Sequence, residues 1–134
     1  MHGKIADPQL YDKGKLSYQW AFARMTIIEK IVKRNRTQLP LKGLRLGICL
    51  HITKETAVLV MAAKKLGAEI ALCSANPLSA QDDIAAFLYG ERTNVFAWRG
   101  ETGSEFIQCI KRVIRFSPLL VMDDGGDLHT HSDT

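Results

Sequence analysis

Between residues 44 and 122, short apolar runs alternate with stretches of helical periodicity, and few folds accept that order. Leu44 to Leu50, Ala68 to Leu72, Asn94 to Trp98 and Leu119 to Met122 have the length and apolar character of buried strands. Lys54 to Leu66, Ser79 to Leu88 and Thr102 to about Phe116 separate them with helical patterns. Strict strand–helix alternation implies parallel pairing, right-handed crossovers and helices packed on the sheet. The sequence therefore predicts an α/β fold, a Rossmann-like open parallel sheet of about four strands with helices on both faces.

Local signals mark where the helices begin and end. Gly67 is a good stop for the helix after the first strand. Ser79 is the expected N-cap of the next, with Asp82 in its first turn near the positive end of the dipole. Thr102-Gly103-Ser104-Glu105 has the spacing of a capping box. Ahead of the first strand, Leu16, Trp20, Ala23, Ile27, Ile28 and Ile31 recur at helical intervals. They predict a long amphipathic N-terminal helix over about Pro8 to Asn35, with a possible break near Gly14. Gln38 to Gly43 reads as a connector.

A chain of 134 residues, 46% of them apolar, is the size of one domain with a real core. No apolar run approaches the length of a membrane span, and the start lacks a signal-peptide pattern. Cys49, Cys73 and Cys109 each sit inside an apolar segment, as reduced core residues of a cytoplasmic protein would. A catalytic thiol is the less favoured reading. Charge is uneven: residues 1–67 carry a net +9 and residues 68–134 a net −5. Lys30, Lys33, Arg34 and Arg36 supply much of the basic excess. No aromatic residue interleaves with them and no nucleic-acid motif accompanies them, so the stretch reads as a solvated helix face or a surface for an acidic protein.

In doubly wound sheets, ligands sit beyond the carboxyl ends of the strands. Those exits here carry His51-Ile52-Thr53-Lys54-Glu55-Thr56, Ser74-Ala75-Asn76-Pro77, Arg99-Gly100-Glu101-Thr102 and Asp123-Asp124-Gly125-Gly126-Asp127. His51, one residue past a buried strand, is either structural or an acid/base near neutral pH. Thr53 is the natural cap of the following helix. Glu55 in its first turn favours the dipole, and it could also accept hydrogen bonds from an exocyclic amine. The adjacent carboxylates Asp123 and Asp124 are crowded at a strand's exit, where like charges repel. They mark either a proton-handling or hydroxyl-gripping site or a solvated turn. A small polar ligand at these exits is a fair inference.

The same residues carry a family resemblance. Cys49-Leu50-His51-Ile52-Thr53-Lys54-Glu55-Thr56-Ala57-Val58-Leu59 resembles the CLHxTxETAVL segment of the S-adenosylhomocysteine hydrolases, the adenosylhomocysteinases. Gly67-Ala68-Glu69 and Asn76 to Asp83 are similar to that family's next block. Val95 to Thr102 resembles its VFAWKGET, with Arg99 for Lys, and Asp123 to Leu128 its DDGGDL. Ile5-Ala6-Asp7 and Pro40-Leu41-Lys42-Gly43 also fit, so the similarity runs from about residue 4 to 128.

The resemblance implies a substrate-binding domain, single and partial, over residues 1–134. In that family a bound NAD oxidises the ribose 3′-hydroxyl of S-adenosylhomocysteine, the C4′ proton is lost, homocysteine leaves, water adds and the ketone is reduced. It assigns His51 and Asp124 to proton handling, and Thr53, Glu55 and Asp124 to the adenosine part of the substrate. It implies no metal and no cofactor-binding residue in this chain. S-adenosylhomocysteine or adenosine is the expected ligand, and the expected protein partner is another copy or a full-length homologue. Neither nucleic acid nor membrane is expected.

Departures limit what the resemblance carries. No G-x-G-x-x-G occurs, so the NAD domain is expected to be absent and the chain alone inactive and without NAD. The family's downstream substrate and nicotinamide residues have no counterpart here. Met25-Thr26 stands where the family tends to have Met-Pro, and His129 where it has threonine. Asp127, His129, His131 and Asp133 read as a frayed terminus rather than a metal site. The alternative function is a free-standing adenosine- or nucleoside-binding module that partners a full-length enzyme.

Overall fold

The structure, a computed structural model, describes residues 3–124. A 3₁₀ turn at Pro8–Leu10 leads into α1 (Tyr11–Arg24) and α2 (Thr26–Asn35). Then follow β1 (Arg45–Leu50), α3 (Lys54–Lys65), β2 (Glu69–Ser74), α4 (Asp82–Gly90), β3 (Asn94–Phe96), α5 (Gly103–Arg115) and β4 (Leu120–Asp123). The four strands form one parallel sheet in the order β3-β2-β1-β4. The α/β alternation and four-strand open sheet match the sequence expectation.

Strand alternation splits the core between two faces. Leu46, Ile48, Ile70, Leu72 and Val95 point to one side, with Val58, Val60, Ile84, Phe87 and Leu88 from α3 and α4 and with Tyr18 and Ala21 from α1. Cys49, Ala71, Cys73 and Phe96 point to the other, under Cys109, Ile110 and Val113 of α5. All three cysteines are buried and free, as their apolar settings predicted.

Two of the three helix signals take the expected roles. Thr102 and Glu105 form the expected capping box, with each side chain bonded to the other's backbone amide at 2.9 and 3.1 Å. Gly67, at φ +109°, ends α3 in a conformation that favours glycine. Ser79 does not cap α4, which starts at Asp82 with Gln81 as an N-cap that makes no side-chain bond. The Ser79 hydroxyl is engaged instead with Ser74 Oγ at 3.1 Å and the Asn76 carbonyl at 3.1 Å.

The long N-terminal helix is broken at Met25 (φ −105°, ψ 65°), not near Gly14. The break lets Phe22, Met25 and Ile28 all pack against the main core. Its inward face also differs from the periodic set. Leu16, Trp20, Ile27 and Ile31 are exposed, at 68%, 52%, 73% and 44%, whereas Gly14, Tyr18, Ala21 and Val32 are buried. Trp20 keeps its ring covered by cations, with the Arg24 guanidinium 3.7 Å and the Lys54 ammonium 5.5 Å from its centroid.

The two sheet edges are treated differently. Lys4 pairs in parallel with Phe96, donating to the Val95 carbonyl at 2.8 Å and accepting from Ala97 at 3.1 Å, so the β3 edge is covered. Among the described residues nothing pairs with the outer edge of β4.

Candidate active site at the strand exits

The strand order places a topological switch between β1 and β4. From β1 the chain steps to β2 and β3 on one side, then returns by α5 to β4 on the other. The loops leaving neighbouring strands part at such a point, and the crevice between them takes ligands. His51 leaves β1 and Asp124 leaves β4 at this crevice. The register sets Cys49 beside Asp123, and the Asp124 amide donates to the Cys49 carbonyl at 3.0 Å. Residues 73 apart in sequence thereby face each other, with His51 Nε2 3.9 Å from Asp124 Oδ2. Both side chains are at least half exposed, open to a ligand or to water. Gly125 to Leu128, which complete the DDGGDL motif, and the His129/His131 tail lie outside the described residues.

The loop carrying His51 is anchored from beneath. Ile52 is fully buried, and its carbonyl accepts from the Gln81 amide at 3.1 Å. Thr53 donates its amide to the His51 carbonyl at 3.0 Å, which turns the chain into α3. Its hydroxyl caps that helix, accepting from the Thr56 amide at 3.3 Å. The structural role expected of Thr53 is therefore present. Glu55 sits in the first turn of the helix, 55% exposed and 3.3 Å from the Lys54 ammonium. Its own backbone amide, then Lys54 and the Thr53 hydroxyl, hold its carboxyl below the ordinary range against weak desolvation. It is an ionised acceptor at neutral pH. His51 and Asp124 are brought together by β1 and β4, while Thr53 and Glu55 line the adjoining end of α3.

Two polar residues of the other exits take positions that sequence reasoning did not single out. Ser74, 1% exposed, donates to the Asn76 carbonyl at 2.7 Å and shapes the β2–α4 loop. Glu101 is buried at 6% exposure although its neighbours Gly100 and Thr102 are exposed. The only signal for it was Cys109, two turns along the inner face of α5.

Comparison with known proteins settles the lineage. A family profile for S-adenosyl-L-homocysteine hydrolase matches residues 2–133. The chain belongs to that family. It is 47% identical over 131 residues to an adenosylhomocysteinase of Sulfurisphaera tokodaii, covering 98% of this chain and 32% of the relative. It is 45% identical over 131 residues to the adenosylhomocysteinase of Sulfolobus acidocaldarius, with the same coverage. An S-inosyl-L-homocysteine hydrolase of Methanopyrus kandleri is 42% identical over 123 residues, or 92% of this chain and 29% of the relative. The chain thus spans about a third of the length of these hydrolases.

Among the described residues, the turn from β1 into α3 does not fit a dinucleotide. A pyrophosphate cradle needs glycines between β1 and its helix so that backbone amides can approach. Here that turn is His51-Ile52-Thr53, with Ile52 plugged into the core and the Thr53 hydroxyl occupied by the Thr56 amide. Among the described residues no group of His, Cys, Asp and Glu is placed to hold a metal ion, and no helix is long and apolar enough to cross a membrane.

Proposed function

We propose that this chain is the substrate-domain part of an adenosylhomocysteinase and binds the nucleoside portion of S-adenosylhomocysteine at the exits of β1 and β4. The supporting observation is the approach of His51 to Asp124 across the switch point. At 3.9 Å the imidazole and the carboxylate are too far apart for a direct hydrogen bond, but a ligand hydroxyl or a water between them can exchange a proton with either. His51 is the group that gives and takes the proton, and Asp124 orients it and grips a ribose hydroxyl. Glu55, ionised and acceptor-only, suits a donor such as an exocyclic amine. Thr53 fixes the start of α3 so that Glu55 stays in place. Redox chemistry on the ribose belongs to residues outside this set.

Adenosine binding tests the reading. Isothermal titration of the chain with adenosine should show a saturable site, weakened at least tenfold by Glu55→Ala, since one charged hydrogen bond is worth about 1.5–3 kcal/mol. Equal affinity in Glu55→Ala and the parent would remove Glu55 from the site.

We also propose self-association. Leu119, just ahead of β4, and Leu120 and Met122 on that strand, whose outer edge is unpaired among the described residues, are 75%, 53% and 41% exposed. Unpaired backbone beside apolar side chains is a template for another strand. Light scattering at micromolar concentration should give a mass above 15.0 kDa, the mass of one chain. Met122→Lys should shift the population toward that mass, whereas a parent that stays monomeric would refute the proposal.

A further inference from the structure

Glu101 is a buried acid for which the candidate site has no use. It precedes the capping box of α5, and its side chain lies inward beneath that helix. Both carboxylate oxygens are sealed from solvent and make no hydrogen bond. A buried unpartnered carboxylate is expensive, and in practice such a group holds its proton instead.

The surroundings offer little to offset a charge. The Cys109 thiol on α5 faces the carboxyl without reaching hydrogen-bond geometry, and pulls its pKa down only in part. Burial first, and then the like charge of Glu105, push it up to about 7. From the sheet, the Cys73 thiol on β2 neighbours Cys49 on β1, and Glu101 and Cys109 both act on it. The neighbouring Cys49 first, then burial and those two groups, raise the Cys73 pKa well above its ordinary value. The cations acting on Cys109 are Lys4, ahead of the 3₁₀ turn, and Arg112 on α5. On the β2–α4 side the Asp82 carboxylate is engaged by the Arg99 amide at 3.0 Å.

The loop that carries Glu101 is fastened to the rest of the site rim. The Pro77 carbonyl accepts from the Gly100 amide at 2.8 Å and from the Glu101 amide at 3.3 Å, joining the β3–α5 loop to the β2–α4 loop. The β2–α4 segment in turn holds the β1 exit, through Ala75 to the Leu50 carbonyl at 3.1 Å and Gln81 to the Ile52 carbonyl at 3.1 Å. A hydrogen-bonded path therefore runs from Glu101 to the loop bearing His51 and Thr53.

We propose that Glu101 is a pH-sensitive latch that positions the rim of the candidate site. With the carboxyl neutral, α5 seats on the sheet and the Pro77 clamp is closed. When it ionises, the unpaired charge favours states in which Glu101 reaches water, which requires the β3–α5 loop to lift from Pro77. The folded form keeps this proton to a higher pH than the unfolded chain does. Its stabilising contribution is thus complete below about 4.5, the ordinary glutamate value, and is lost as pH rises through about 7. The latch is independent of the hydrolase reading, because it requires no substrate.

Two measurements test it. Carbon NMR titration of the Glu101 carboxyl in the parent chain should give a midpoint near 7; an ordinary midpoint near 4.5 would overturn the latch. Amide hydrogen exchange, corrected for intrinsic rates, should show protection at Gly100 and Glu101 falling at least about tenfold from pH 5 to pH 8, since one pKa displacement of unit size is tenfold in population. Glu101→Gln, neutral at every pH, should hold that protection flat. A fall as steep in Glu101→Gln as in the parent, or none in the parent, would overturn it. If Glu101→Gln does not fold, the parent's midpoint and its protection profile decide.

Discussion

His51→Asn should lower the turnover of S-adenosylhomocysteine by about 10²–10⁴-fold, the usual worth of a positioned acid/base. A suitable vehicle is a chimaera in which these residues replace the matching 131-residue stretch of the Sulfurisphaera tokodaii adenosylhomocysteinase. Asparagine keeps much of the imidazole's size and one hydrogen-bond donor, so the β1 exit stays folded around the fully buried Ile52. What is lost is the imidazole as a carrier of the proton, a role that an amide cannot fill. The loss should fall on kcat more than on KM, because proton transfer is felt in the transition state and hardly in the ground state. Asp124→Asn should cost less, since it removes a charge 3.9 Å from the imidazole while leaving the proton carrier in place. A loss under tenfold for His51→Asn would take it out of the chemistry.

Gly14→Ala should destabilise the fold by about 3 kcal/mol, at the upper end of what overpacking costs. Intrinsic helix propensity argues the other way, since alanine is favoured over glycine inside a helix by about 1 kcal/mol. The tertiary contact decides the sign. A Cβ at Gly14 would lie 1.9 Å from the Asp83 carbonyl oxygen and 2.9 Å from the Phe87 Cβ. The first of these is the backbone of α4, which cannot turn aside as a flexible side chain can. Helix α1 must back away, and it takes with it the stacking of Tyr18 on Phe87, whose ring centroids are 4.7 Å apart. Thermal unfolding should fall by roughly 10 °C at about 4 °C per kcal/mol for a domain of this size. Gly103→Ala makes the control. A Cβ there meets nothing within 4 Å at the first residue of α5, so its midpoint should hold or rise. Equal midpoints for Gly14→Ala and Gly103→Ala would show that α1 and α4 are not held at the distance described.

The order and type of every element from β1 to β4 were legible in the chain, because each depends on neighbours a few residues away. Periodicity of two or 3.6, the capping box at Thr102 and the stop at Gly67 are local properties. So are the burial of Cys49, Cys73 and Cys109 within apolar runs, and the appearance of His51 and Asp124 just past strand ends. The long motifs around those residues were enough to point to the hydrolase family. Tertiary structure decided the rest. Periodicity found Leu16, Trp20, Ile27 and Ile31, yet packing turned Tyr18, Ala21 and Val32 inward. Tyr18 stacks on Phe87, and a bend at Met25 serves the core better than one straight helix. Ser79 lost its cap role because Ser74 and Asn76, brought near by the loop, compete for its hydroxyl. Above all, alternation cannot say on which side of β1 the fourth strand will lie. That choice depends on how α5 crosses the sheet, and it brings Asp124 to His51. It also leaves the Glu101 carboxyl enclosed beneath α5, where only the assembled layers exclude water from both of its oxygens.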